Sequence, residues 1–230
     1  MAVAGGGQFH HLRTASEIAT TFIGELGDLL TVAASHVRLE FEVDTRITAN
    51  LVSAYWAHST ETHAFRQSID IGDLQSDEER HVVVRFDFPA QEKRDGHIIR
   101  ARLTWVADGK EQSSDWQEAW FSYASPQTCE NEPHDPGVMH WVALNEADHA
   151  RREALKLSLQ GKLQEARAQL KRATHYVLAN AGSDKELQAE AAALSSLDEE
   201  MAKAPLPSPK AKEVWYQSQN RSRSQKDYRK

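Results

Sequence analysis

An α+β fold is predicted by three features of this 230-residue sequence. One amphipathic helix comes first, a block of alternating strands follows without helical interruption, and the helical period returns near residue 138 and lasts to about residue 204. Strand runs divided by turns point to an antiparallel β-sandwich rather than a parallel βαβ sheet. The expected organisation is a helical segment over 1–34, a sandwich over 35–125, a helical hairpin plus third helix over 137–204, and a disordered basic tail over 205–230.

The first helix is expected over residues 15 to about 34, after the loop Gly5-Gly6-Gly7-Gln8-Phe9-His10-His11-Leu12, with Thr14 or Ser16 as N-cap. Its apolar stripe is Ile18, Phe22, Leu26, Leu29, Leu30 and Ala33. A lone helix of this length is marginal in water, so the stripe must pack on the strand block or on another chain. Phe22, Leu26 and Leu30 are therefore candidate interaction residues.

Period-two alternation then runs from about 37 to 123. Val37, Leu39, Phe41 and Val43 alternate with Arg38, Glu40, Glu42 and Asp44; Val82, Val84, Phe86 and Phe88 form a second inward face ended by Pro89. Ile99, Ala101, Leu103 and Trp105 make a third, and Trp116, Trp120 and Tyr123 fall near a last strand. Asp108-Gly109 is a hairpin turn, because glycine supplies the positive φ such turns need. Tryptophans at strand spacing are core and cross-strand contacts more often than a carbohydrate platform.

A polar connector, Ser125 to Pro136, leads to the helices. The first is expected from about Val138 to Gln160, interrupted at Gly161; the second carries Leu163, Ala166, Leu170, Ala173 and Val177; the third carries Leu187, Ala191, Leu194 and Met201. Gly182-Ser183-Asp184 reads as a glycine stop followed by a capping start. Ala154, Gly161, Ala166 and Ala173 occupy the small-residue positions of one tetratricopeptide-like hairpin, with no second copy at a period of 34. From Pro205 onward, three prolines in five residues precede a polar run whose large anchors are Trp215 and Tyr216.

Gly5-Gly6-Gly7, the amphipathic helix and the strand Val37–Val43, in that order, resemble the end of the von Willebrand factor type A (VWA) domain where it passes into its C-terminal strand domain, in bacterial proteins often labelled calcium-activated chloride-channel homologues. The unit Ser68-Ile69-Asp70-Ile71-Gly72-Asp73-Leu74, an acidic turn and Val82-Val83-Val84 strengthen the likeness. The resemblance implies that residues 1–34 carry the remnant of a VWA terminal helix and that the chain lacks most of that domain. It further implies a noncatalytic accessory module, with a protein partner that supplies the VWA domain, or self-association through the N-terminal helix. The metal-ion-dependent adhesion site of that family uses an Asp-x-Ser-x-Ser loop for a hard cation. No such motif occurs here, so no residue inherits the site.

Composition narrows the alternatives. The net charge of −7 divides into +5 over the last 26 residues, from seven Lys or Arg against two acids, and −12 elsewhere. An acidic body argues against general nucleic-acid binding. The tail suggests a second reading, a scaffold that engages an acidic partner or anionic lipid through Arg221 and Arg223, with Trp215 and Tyr216 as anchors. No apolar run is long enough to span a bilayer, Met1-Ala2-Val3-Ala4 lacks the features of a secretory signal, and the single Cys129 makes no internal disulfide, so a cytoplasmic protein is expected.

No cofactor is expected. The acids Asp70, Asp73, Asp77, Glu78 and Glu79 lack EF-hand spacing, and the eleven histidines, including His10-His11, His58 and His63, lack zinc-site spacing. Cys129 with His134 and Asp135 holds the atoms of a thiol enzyme. Its acidic, proline-rich surroundings oppose a thiolate, and no enzyme is expected.

Overall fold

A computed structural model of the chain describes residues 14–29, 32–60, 65–76, 78–90 and 96–223. The elements are helix α1 (Ala15–Leu29), strands β1 (Val32–Val43), β2 (Thr48–Leu51), β3 (Trp56–Thr60), β4 (Phe65–Gln75), β5 (Val84–Asp87), β6 (Gly96–Ala107), β7 (Lys110–Ser113) and β8 (Gln117–Ser122), and helices α2 (Pro126–Glu130), α3 (Pro136–Leu159), α4 (Leu163–Ala181), α5 (Lys185–Lys203) and α6 (Ser208–Ser222).

The principal sheet has the order β3-β4-β1-β6, with the outer edge of β6 shared by β8 at its start and β7 at its end; every pairing is antiparallel. A two-stranded sheet, β2-β5, packs across it, so the expected sandwich is present with one large and one small layer. Val37, Phe41, Ile69, Ile71 and Ile99 are buried between the layers, and Phe41 meets Phe86 edge to face at 5.7 Å. The other face of the large sheet is polar and laced by pairs: Arg38–Asp70 at 2.9 Å, Arg102–Glu40 at 2.8 Å and Arg100–Glu118 at 2.9 Å. Trp116 lies on this face beneath the guanidinium of Arg102 at 4.7 Å, and Trp120 is 72% exposed. Of the three tryptophans expected as core and cross-strand contacts, Trp105 packs in the core and Trp116 lies against Arg66 of β4 and Arg102 of β6 on the outer face.

The Gly-Asp-Leu motif has a structural use. The β1–β4 register shifts near Val37, where His36 takes φ 52° and Gly72 φ 92°. Asp73 accepts the His36 backbone N–H at 2.9 Å and so holds this bulge. Asp108 and Gly109, at φ 51° and 70°, form the expected tight turn, which leads into β7, a short strand the alternation did not predict.

In the helical layer α3, α4 and α5 run as successive antiparallel neighbours, a hairpin plus a third helix, around an alanine-rich core. Ala154 and Ala166 are fully buried, which lets α3 and α4 approach closely, while Gly161 supplies the turn at φ 78°. Asp135 caps α3 through the N–H groups of Gly137 and Val138, and Asp184 caps α5 through those of Glu186 and Leu187.

Two boundaries differ from expectation. The first helix stops at Leu29 and β1 begins at Val32, so Ala33 is a strand residue; β-branched and strand-paired positions win over the helical stripe once Gln75 and Leu74 pair with Val32 and Ala34. The tail expected to be disordered folds as α6 over Ser208–Ser222. Its ordering comes from long-range polar contacts that composition does not register.

Candidate functional site

Two regions hold the residues singled out in the sequence. The first is α1. The side of the helix that turns inward carries Thr21, which is buried, and half-buried Glu17 and Gly24. Ile18, Phe22 and Ile23 are 55%, 64% and 70% exposed. This helix makes no extensive packing contact with another described element. Phe22 thus faces solvent; the side chain of Leu26 and the whole of Leu30 lie outside the described residues.

The second region is the junction where α6 meets both the sandwich and the helical layer. Tyr216 is 1% exposed and Arg223 is 3% exposed, so both point into the protein, and Trp215 is left outward at 42%. The Arg223 carbonyl accepts hydrogen bonds from the Tyr55 hydroxyl at 2.5 Å and from Arg80 Nη1 at 3.0 Å, and its guanidinium stands 5.6 Å from the centre of the Tyr55 ring. Ser222 Oγ donates to Asn145 Oδ1 at 2.8 Å and accepts from the Ala54 N–H at 2.9 Å, while Ser53 Oγ donates to the same Asn145 oxygen at 3.0 Å. Asn145 therefore joins one loop of the sandwich, α3 and the end of α6. Nearby, His81 stacks on Trp141 with ring centres 3.5 Å apart, a further tie between the layers.

Arg221 enters a four-residue ion cluster. Its Nε donates to Asp148 Oδ2 at 2.9 Å and its Nη1 to Glu190 Oε2 at 2.6 Å, and Arg151 pairs with the same two carboxylates. The side chains of Asp148 and Glu190 are 0% and 5% exposed. Burial pushes the Asp148 carboxyl up, against the pull of Arg221 and Arg151. Burial acts the same way on Glu190, but there Arg151 and Arg221 together outweigh it and hold the carboxyl below its ordinary value. The carboxylates in turn raise Arg221 although burial opposes them. Two carboxylates facing two guanidiniums make a neutral, hydrogen-bonded set, the arrangement in which buried charge is tolerated. Arg221 and Arg223, the expected contacts for an acidic partner or lipid, are occupied within the chain.

Asp148, Glu190 and Asn145 were not singled out in the sequence. A signal for them exists: Asn145, Asp148, Arg151 and Arg152 interrupt the buried stripe Leu144, Ala147, Ala154 and Leu155, and Glu190 sits between Leu187 and Leu194. Polar residues on a core stripe need partners.

The chemical candidates do not assemble. Asp70 pairs with Arg38, Asp73 bonds the His36 backbone, Glu78 pairs with Arg80 at 2.7 Å, and Glu79 extends toward His81; Asp77 is outside the described residues. Among the described residues no three His, Cys, Asp or Glu side chains converge as a metal site. The sequence has no Asp-x-Ser-x-Ser motif for the adhesion-site cation, and the described residues bring no such ligand set together. His10, His11 and His63 fall outside the described residues, as does the side chain of His58. Cys129 is exposed on the short α2, and His134 is exposed on the connector that follows. No described helix is long and apolar enough to cross a membrane.

The fold has a counterpart among solved structures. A von Willebrand factor type A protein from Catenulispora acidiphila matches 77% of this chain with a TM-score of 0.55 at 14% sequence identity. This chain shares the fold of part of that protein. It spans 43% of the other chain, less than half its length. The ArnB paralog VWA2 from Sulfolobus acidocaldarius aligns with 97% of this chain and 50% of its own, at a TM-score of 0.49 and 14% identity. No protein-family model matches the chain, and no curated protein matches it significantly.

Proposed function

We propose that this chain is a noncatalytic protein–protein interaction module that works joined to a VWA-type head, with α1 as the joining surface. The observation that carries this reading is the outward apolar face of α1, where Ile18, Phe22 and Ile23 lie more than half exposed on a helix whose inward side is Thr21. Exposed large apolar side chains clustered on one element are the mark of a contact surface. The likeness in fold to part of a VWA protein supplies the occupant: the remaining part of such a protein, whose sheet α1 would cover. On the outer face of the sandwich the exposed Trp120 stands on a sheet face laced by ion pairs, and the charges of α6 are paired within the chain.

The test is the solution mass of the chain by light scattering, with and without residues 1–31. The expected result is concentration-dependent association of the full chain and a stable monomer after removal. A full-length monomer whose sandwich unfolds when α1 is removed would overturn the reading, because α1 would then be a cover for its own sheet. The noncatalytic part of the proposal is tested separately by an activity screen with Cys129→Ala: any turnover lost with the thiol contradicts it.

A further inference from the structure

The seat of α6 has properties that its present occupant does not exhaust. The helix is polar along its length, and its inward side is Tyr216, Ser218, Asn220 and Ser222, with Val214 partly buried. It is held by hydrogen bonds and ion pairs more than by apolar area: Arg152 Nη1 to the Ser218 carbonyl at 3.1 Å, Lys210 to Glu200, and the Arg221 cluster. When a helix docked in this way leaves, its polar groups regain water, and the burial of Tyr216 is the main hydrophobic stabilisation it gives up.

The walls of the seat are acidic. Excluding what α6 itself contributes, Glu79, Asp148, Glu186, Glu190 and Glu200 face the cleft against Arg151. With Arg152, which reaches the Ser218 carbonyl from α3, that is a net of three negative charges, which Lys210 and Arg221 of α6 offset only in part. With α6 in place a cleft of about 750 Å³, open to solvent, remains beside it. Asn220, 4% exposed, lines that cleft with its Nδ2 unpartnered, and Gln219 Oε1 on the same helix is buried without a partner. Buried polar atoms left unpaired are costly and mark a fit that another ligand can improve. The connection to α5 is Pro205-Leu206-Pro207, and no side chain caps the start of α6.

We propose that the cleft between α3 and α5 is a binding site for a basic amphipathic helix of another protein, and that α6 occupies it in cis as a displaceable ligand. The incoming helix carries an arginine for Asp148 and Glu190 and bulk for the unfilled space, as helix-in-groove recognition requires. This inference does not depend on the role of α1, which lies on a different surface.

The full chain is tested with a synthetic peptide of residues 205–224 as probe. In hydrogen exchange, the α6 amides are expected to exchange at least tenfold faster than buried amides of α3, α4 and α5, and excess peptide is expected to accelerate α6 alone. In Glu186→Lys/Glu200→Lys, whose substituted carboxylates lie at the rim so that the buried cluster is kept, the α6 amides are expected to exchange at least tenfold faster than in the parent chain, because Lys210 loses Glu200. Exchange of α6 in step with α3–α5, or no acceleration of α6 exchange by excess peptide, would overturn the proposal. So would a dimer in which this cleft holds α6 of a second copy.

Discussion

Replacing Ile18, Phe22 and Ile23 together by serine separates the two roles α1 could have. A phenylalanine side chain covers ~200 Å², and Phe22 is 64% exposed, so ~130 Å² of it is available to a partner, worth ~3 kcal/mol at about 25 cal/mol per Å². Full burial of an isoleucine is worth ~2 kcal/mol, and at 55% and 70% exposure the two isoleucines add roughly 1 kcal/mol each. About half of this gross sum is lost to ordering the helix and side chains at an interface, which leaves ~2–3 kcal/mol, or roughly a 30- to 150-fold weakening of association. Within the chain itself the cost is small, since exposed positions change stability by about 0.5 kcal/mol each, equivalent to a melting shift of ~3–6 °C in all. Sedimentation across a dilution series and a thermal melt of the same samples read both quantities. A fall of more than about 10 °C in melting temperature with association unchanged would refute the reasoning.

Three further outcomes follow from the packing and the charges. Leu170→Ala empties a fully buried site between α4 and its neighbours and is expected to cost ~3 kcal/mol, measured by urea unfolding. Gly109→Ala forces a Cβ into a residue at φ 70° and is expected to lower stability by ~1 kcal/mol, whereas Gly109→Asn, which tolerates that conformation, costs less. The Asp184 carboxyl is held below its ordinary value by His140, bonded at 2.6 Å, and by the N–H groups it caps. A depressed folded-state value means stability that is present above the unfolded-state value and lost as the pH falls through the folded one. Asp184→Ala should therefore flatten part of the acid limb of a stability–pH curve below about pH 4 and lower stability in the neutral region, where both the cap and the His140 bond are lost.

The fold class was legible because its signals are periodic. Val37 to Val43 alternates cleanly, and Leu163 to Val177 repeats every three or four residues, so the core positions of β1 and α4 are readable from residue type alone. The short strands β2, β3 and β7 were not. Each has four or five residues, too few for a period; β3 and β7 exist because the longer β4 and β6 offer them backbone partners, and β2 because β5, of equal length, does. The direction faced by Trp116 and Trp120 was equally hidden, because a one-residue change of register turns every side chain of a strand to the other face. On α1, Ile18 and Phe22 were legible as members of a stripe, whereas Ile23, exposed beside them, lies outside its spacing.

Disorder was expected of the C-terminal stretch because low hydrophobicity and an excess of like charge leave too little apolar area to offset chain entropy. That argument counts only what the segment carries. It omits what the rest of the chain presents to it: Asp148 and Glu190 on two helices aimed at one guanidinium, Asn145 aimed at Ser222, and the Tyr55 hydroxyl and Arg80 guanidinium donating to the Arg223 carbonyl. The balance of α6 is thus set by complementarity rather than composition, and complementarity of this polar kind is sensitive to a single group. Removing Arg221 leaves two buried carboxylates facing Arg151 alone. A buried pair broken on one side costs about 3–5 kcal/mol, more than a polar helix end of this size can hold back by packing. Arg221→Met is therefore expected to release α6 while the alanine-rich core of α3, α4 and α5 stays folded, a local opening readable by hydrogen exchange. Retention of α6 protection in that variant would mean that Tyr216 and the Asn145 junction hold the helix, and that the charge cluster does not.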